Sequence, residues 1–493
     1  MNRPPHEQRP DPLDADKLRI DLRVGPDNMP SGEEVYVEVE AREDTERRIR
    51  SGKLAGRSLW MAIWILSWPV FLQQTMQATV GLADKIFAGS LAPDVRLAAL
   101  DAVGIGAYVG WFINVALAGL GIGGQAIIAR AMGRGDSAEA EASLGQALVL
   151  SMIWGTFVGG VLWFGVSALT VATGLEPEAA RFCEQYVRVL ALSMPFCGLM
   201  MVGSMCLHGA GETTKPSFIF IIVNIVNLLA TWALSGADLR LGDGTLTNPF
   251  TFDLDVVGIA AGTALSFTAG GLLTVAVLLR GVKDLRLTLP RFRLEADMVR
   301  RIVRVGVPNF FEGVSMWAVN LFVLGFIGWI AASKSNGMGL QGAHIIAVQW
   351  EAFSFMPGFA IGTAAGALAG QYLGAGNPEM ARKAILACTG IGAVIMGALG
   401  VLFIVESETL TRIISPEPIH LELVPPLLKI AGAIQLFFAM TMVIRQGLRG
   451  VGDTKWTFLI TTFSSYVVRL PLCFFFGVML DMGLTGIWIG LCG

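Results

Sequence analysis

The sequence predicts an all-α polytopic membrane protein: twelve transmembrane helices in two parallel six-helix repeats, with the last helix cut short. Three observations carry this. The 493 residues are 54% hydrophobic and 15% charged, against the roughly 25% charged residues of a soluble domain. Apolar runs of the ~20 residues needed to cross a bilayer recur along the chain. A set of short motifs also returns once, at a fixed interval.

Residues 1–56 differ from the rest, holding 13 of the 39 acids and no apolar run long enough to insert. They read as a soluble, disordered cytoplasmic extension and not as a signal peptide, which would need an apolar core near the start. A β-hairpin is the alternative, because Leu18, Ile20, Leu22 and Val24 alternate with charges, as do Val35, Val37 and Val39. Eleven complete spans follow, at 59–89, 98–130, 143–170, 182–209, 216–236, 255–280, 301–332, 342–372, 383–405, 423–448 and 456–480, and a twelfth starts at Leu484. Ten residues rise only about 15 Å as helix, so the twelfth looks truncated. The layout is therefore a first bundle at 57–280, a basic linker at 281–300 and a second bundle at 301–493.

The repeat divides the chain. Leu207-His208-Gly209-Ala210-Gly211-Glu212-Thr213 returns as Leu448-Arg449-Gly450-Val451-Gly452-Asp453-Thr454, 241 positions later, and Gly133-Arg134-Gly135-Asp136 returns as Gly374-Ala375-Gly376-Asn377. Pro69 and Pro308, each early in the first helix of its half, are 239 apart. Six helices per half is an even number, so both halves enter from one side and a two-fold along the membrane normal relates them. Lys and Arg favour cytoplasmic loops. Arg47, Arg48, Arg50, Lys53 and Arg57 precede the first span, and Arg280, Lys283, Arg286, Arg291, Arg293, Arg300, Arg301 and Arg304 lie between the sixth and seventh. Those segments are expected inside, with the amino terminus. The loops at 236–255 and 415–426, poor in Lys and Arg, are expected outside.

Several function classes are excluded or weakened. A net charge of −3 leaves no basic stripe for nucleic acid. The six cysteines stand apart, without metal-ligand or disulfide spacing. Gly119, Gly121 and Gly124 match a dinucleotide fingerprint in form, but no strand precedes them, and no phosphate-binding loop motif occurs. No enzyme chemistry is visible.

The run Ser67-Trp68-Pro69 with Gln73, Gln77, Asp84 and Gly89, then Gly121-Ile122-Gly123 and Gly133-Arg134-Gly135-Asp136, resembles the first half of the multidrug and toxic compound extrusion (MATE) family. Gly306-Val307-Pro308 with Glu312, and Gly374-Ala375-Gly376-Asn377, resemble its second half, and the turns at Gly209 and Gly450 are similar to its paired "RGxGDT" turns. The likeness covers about residues 58–493 and is nearest the NorM-like branch. It implies an antiporter of the plasma membrane, the inner membrane if bacterial, which exports amphipathic, often cationic, organic compounds in exchange for H⁺ or Na⁺. No cofactor beyond that coupling ion and no partner beyond small organic cations or amphipathic drugs and the bilayer are expected, and the chain is expected to act as a monomer.

Intramembrane acids are costly and mark function. Asp84 shares one face of the first span with Gln73 and Gln77, within about 40° at 100° per residue. Asn224, Asn227 and Thr231 form a second polar stripe, on the fifth span. A lone carboxylate among neutral oxygens suits proton exchange and can also hold one Na⁺ through hard oxygen ligands. Glu312 shares a stripe with Asn309, Met316 and Asn320 on the seventh span, with Trp317 beside it. It stands four residues after Pro308, as an acid does in the NorM-like branch, which marks it for substrate or ion contact. That branch usually adds an aspartate on the tenth span, and none lies between Leu423 and Leu448; the DinF-like branch tends to pair its fifth-span asparagine with an acid one turn on, where Leu228 stands. Glu351 on the eighth span is a candidate for binding cationic substrate or for relaying protons with His344. Arg469 reads as the one clear mid-membrane cation and is expected in a structural ion pair with an intramembrane acid. The glycines at 358, 362, 366 and 370 are expected to admit a neighbouring helix. A flippase for a lipid-linked saccharide or cell-wall precursor is the nearest rival and calls for a strongly basic cavity. An ion channel is the rival of another class.

Overall fold

The computed structural model describes residues 57–241, 244–250, 252–282, 285–288, 294–333 and 339–492; the extension at 1–56 lies outside them, as does part of the basic linker. The chain runs through α1 (Leu59–Gly89), α2 (Arg96–Arg134), α3 (Ser137–Thr173), α4 (Pro177–Gly209), α5 (Thr214–Ser235), β1 (Leu239–Leu241), β2 (Gly244–Leu246) and α6 (Asp255–Arg280). The second half follows as α7 (Ala296–Ser333), α8 (Leu340–Gly374), α9 (Pro378–Val405), α10 (Ser407–Ile414) and α11 (Pro418–Gly450). It ends with α12 (Thr454–Met479) and α13 (Gly483–Cys492). Ten of these helices are long and apolar enough to cross a membrane. The eleventh, α1, is 31 residues long and carries Asp84 and Lys85; α13 is the short twelfth.

The motif turns explain where helices stop. Gly135 and Gly376 take φ of 76° and 78°, the left-handed region glycine enters without strain. The next residues, Asp136 and Asn377, then cap α3 and α9 by accepting from Glu139 N at 2.9 Å and Met380 N at 3.0 Å. Gly211 and Gly452, at 76° and 79°, reverse the chain into α5 and α12. Behind them Thr213 Oγ1 donates to Ile65 O and Thr454 Oγ1 to Val305 O, so each half locks its fifth helix to its first in the same way.

Three features lie outside the sequence expectation. A two-stranded antiparallel hairpin pairs Leu239 with Leu246 in the loop after α5. The short helix α10 sits between the ninth and tenth spans, held to α8 by the Trp350 indole donating to Leu410 O at 3.0 Å. Finally, α12 contains π-helical turns at Ser464–Arg469 and Phe475–Met479, on either side of Pro471. Proline removes an N–H from the ladder, and a π turn absorbs the resulting shift.

The two halves meet along a seam at the end that carries the basic loops. The start of α1 (Ala62, Ile63, Leu66) shares an apolar cluster with Ile361, Ala364, Ala365 and Leu368 of α8. Gly119 of α2 abuts Gly306 of α7 backbone to backbone: a Cβ on either would lie 2.9 or 2.7 Å from the other's carbonyl oxygen. The seam obeys the sequence repeat. Gln371 donates to Gly209 O at 2.8 Å, and Arg130, 241 positions earlier, donates to Val451 O. Such reciprocity is the mark of an isologous two-fold contact, here within one chain. Glu139 of α3 adds an ion pair to Arg301 of α7 at 2.7 Å. Toward the other end, Leu97, Tyr108 and Trp111 of α2 are exposed.

Within the second half, the glycine stripe of α8 receives α11. A Cβ at Gly366 would meet Gln446 O at 2.8 Å, and one at Gly370 would meet Gly450 O at 2.9 Å. Close helix packing accounts for it.

Candidate functional site

Two buried polar centres occupy the two halves. In the first half, α1 delivers Asp84 into the bundle, where it is 3% exposed. Tyr186 of α4 donates to Asp84 Oδ2 at 2.6 Å, and the Thr263 hydroxyl of α6 sits 3.1 Å from both carboxylate oxygens. Asn227 of α5 donates to Thr263 Oγ1 at 2.9 Å, leaving its own carbonyl oxygen buried without a partner, as is Thr231 Oγ1. Four helices thus converge on one acid. The idle amide and hydroxyl oxygens suit a hard cation or a transferred proton. Among the described residues there is no cluster of three or more His, Cys, Asp or Glu, so any cation held here relies on neutral oxygens beside the single carboxylate.

Of the first-half residues singled out in the sequence, Asp84 and Asn227 are brought together through Thr263, and Thr231 is buried against Gly262. The others go elsewhere. Gln73 pairs with His208 (Oε1 to Nε2, 3.1 Å), Gln77 donates to Asn114 at 2.8 Å, and Asn224 turns back onto Phe220 O of its own helix. Tyr186 and Thr263 escaped the sequence reading, since a lone Tyr or Thr in an apolar span gives no periodic signal.

Tyr186 also fixes how closely α2 and α4 approach, because a Cβ on Gly106 would lie 2.6 Å from Tyr186 Cε1. Both Tyr186→Phe and Gly106→Ala should therefore lower efflux, by roughly tenfold if the lost bond is worth what a hydrogen bond to a charged group is worth. Gly106→Ala alone should also cost about 1–3 kcal/mol of stability through overpacking. Efflux assays and thermal melts of purified protein separate the two effects.

In the second half Glu312 is wholly buried on α7, and two arginines of α11 reach it: Arg449 Nη2 at 2.9 Å and Arg445 Nη1 at 3.5 Å. Thr461 of α12 donates to its Oε1 at 3.1 Å. Arg445 also touches Met316 Sδ at 3.7 Å. Asn309 is buried beside Glu312 on the same face, Trp317 is half-buried, and Asn320 is exposed. The ion pair expected of Arg469 is made instead by Arg445 and Arg449. Among the described residues no carboxylate lies within 4.0 Å of Arg469. Arg469 is not alone, because Arg445 and Arg449 reach inward from the end of α11. His344 does not meet Glu351 either; its Nδ1 takes the Trp488 indole at 3.1 Å.

The repeat relates these centres. His208 and Arg449 are 241 apart, and Gln73 and Glu312 are 239 apart, so the neutral Gln73–His208 pair and the charged Glu312–Arg449 pair hold equivalent places.

Two helical bundles, each holding its own buried polar centre, meet along one end. The MatE family model matches residues 69–233 and again 308–475, the two matches starting at Pro69 and Pro308. The chain belongs to that family, whose members are transporters and not enzymes. Over 430 residues it is 27% identical to "Probable multidrug resistance protein NorM" of Thermotoga maritima, covering 86% of this chain and 87% of that one. It is 25% identical over 439 residues to "Multidrug resistance protein MdtK" of Proteus mirabilis, with 86% and 89% covered. Its fold is similar to a MATE family transporter solved in an outward-facing conformation, with a TM-score of 0.78 at 23% identity over 90% of this chain and 94% of that one. A second neighbour, a transporter from Pyrococcus furiosus described by the reverse polarity of its binding pocket, has a TM-score of 0.77 at 22% identity, with 91% and 94% covered.

Proposed function

We propose that this transporter is a secondary antiporter in which H⁺ or Na⁺ entering at Asp84 drives export of amphipathic organic compounds. The observation that carries the reading is the Asp84 centre: one buried carboxylate, held by Tyr186 and Thr263, with Asn227 on Thr263 and the buried oxygens of Asn227 and Thr231 left without a partner. The ion acts by favouring one arrangement of the two halves over the other. The decisive experiment is dye efflux from proteoliposomes under an imposed pH or Na⁺ gradient; efflux that ignores both gradients overturns the reading.

Glu312, the acid expected to meet cationic cargo, is already matched by two arginines, which leaves Glu351 as the candidate acid for such cargo in the second half. Those same arginines favour a second reading, a flippase for a lipid-linked saccharide or cell-wall precursor, whose phosphates would seek them.

Orientation follows the basic segments, with the amino terminus cytoplasmic and the protein in the plasma membrane. Cysteines placed at Ser31 and Thr288 should resist a membrane-impermeant thiol reagent applied to whole cells, and one at Thr245 should react. Labelling at Ser31 from outside would reverse the topology.

A further inference from the structure

We propose that Arg445, together with Arg449, forms an anion-binding site in the second half, which takes the carboxylate, sulfonate or phosphate of an amphipathic substrate. The proposal deepens the transport reading by naming the charge of the cargo, and it rests on that reading only for the site's being part of a transport path.

Charge balance is the first argument. Glu312 supplies one negative charge and has no exposed surface, yet two guanidiniums converge on it whose side chains are themselves only 17% and 14% exposed. One carboxylate neutralises one guanidinium, and a second left unmatched away from water calls for a counter-anion. Two cations and one acid therefore leave an excess of one positive charge.

Geometry identifies Arg445 as the open member. Arg449 holds Glu312 at 2.9 Å and Gln446 Oε1 at 3.1 Å. Arg445 stands off at 3.5 Å, and its other contact is Met316 Sδ, a weak acceptor. The Nε atoms of Arg445 and Arg449 are both buried without a hydrogen-bond partner. A guanidinium carries five donors in a planar fork matched to carboxylate and phosphate, so each fork keeps its Nε edge open to an anion. The half-buried Met316 and Trp317 supply the apolar wall against which the body of an amphiphile can lie. The equivalent place in the first half holds neutral Gln73 and His208. The two halves therefore divide by polarity, with a cation sought at Asp84 and an anion at Arg445.

The test is equilibrium binding to the full-length protein in phosphatidylcholine nanodiscs without any gradient, using dansylaminoundecanoate, its methyl ester and a trimethylammonium analogue. The carboxylate should bind about tenfold or more tightly than the other two, as a charge-assisted hydrogen bond requires, and Arg445→Gln should remove most of that preference. Glu312→Gln supplies an independent sign: by removing the internal competitor it should strengthen carboxylate binding, whereas a cation site would lose ammonium binding. Equal affinity for the three probes, or an unchanged preference in Arg445→Gln, would overturn the proposal, as would weaker ammonium binding without stronger carboxylate binding in Glu312→Gln. Repeating the titration in phosphatidylglycerol nanodiscs separates the sources. Displacement of the carboxylate supports the site with lipid phosphate as occupant, and retention supports it with a free amphiphile. Because no gradient is present, a failure of ion coupling at Asp84 leaves this measurement intact.

Discussion

Asp84→Asn should bring gradient-driven efflux down to the level of empty liposomes, a fall of about 100-fold or ~2.7 kcal/mol at 1.36 kcal/mol per decade, while the protein stays folded. A coupling ion does work only through a difference in its affinity for the two arrangements of the halves, and a site with equal affinity for both shifts nothing. The amide is neutral at every pH and takes no proton in exchange, so that difference vanishes. The fold should survive because the amide oxygen can still accept from Thr263, and Tyr186 alone loses its acceptor. One such unmade bond costs about 1–3 kcal/mol, within the 5–15 kcal/mol typical of a domain. Dye efflux in proteoliposomes, beside a thermal melt of the same preparation, checks both halves of the expectation. Efflux at the wild-type rate in Asp84→Asn would remove Asp84 from the coupling path.

Much of the architecture was legible because bilayer thickness and motif recurrence leave strong one-dimensional signals. The spans read at 59–89 and 255–280 coincide with α1 and α6. The 241-residue interval, read from glycines and acids alone, reappears as the paired contacts of Gln371 and Arg130 across the seam. The sites were less legible, since a stripe on one helix says which residues share a face and not what stands opposite. Gln73, Gln77 and Asp84 do share a face, yet they meet His208, Asn114 and Tyr186 respectively. A helical wheel cannot resolve three partners spaced along one long helix. Arg445 and Arg449 were hidden for a different reason. They lie in the last turns of a span, where a basic residue ordinarily reaches out to the interface, and only the buried Glu312 explains why they turn inward. One signal was present in the sequence: the repeat aligns His208 with Arg449 and Gln73 with Glu312.

The double substitution Gly133→Ala and Gly374→Ala should drive the seam open and stop efflux without unfolding either half. A Cβ on Gly133 would lie 2.0 Å from Gln371 O, and one on Gly374 would lie 2.1 Å from Arg130 O. Both obstacles are backbone oxygens in helices, so no side-chain rotation relieves them, and α2 and α8 must separate by about 1 Å or more to restore van der Waals distance. Overpacking of this kind costs about 1–3 kcal/mol per site. The two sites are related by the repeat and strain the same contact, so the penalties act together on the arrangement in which this end is closed. An arrangement with this end open would lack that contact and pay nothing, so the equilibrium should move by roughly 2–6 kcal/mol toward it, enough to invert a population of 99 to 1 near the upper end. Ala129 reports the change: it is wholly buried and lies against Gly370 in the seam. A cysteine there should be inert to a thiol reagent in the otherwise native protein and reactive in the double variant, against a low background, since five of the six native cysteines are buried. Gly104→Ala on the same helix, where a Cβ meets nothing within 4 Å, is the matched control and should change neither labelling nor efflux. An unreactive cysteine at Ala129 together with normal efflux in the double variant would show that the seam does not open during transport.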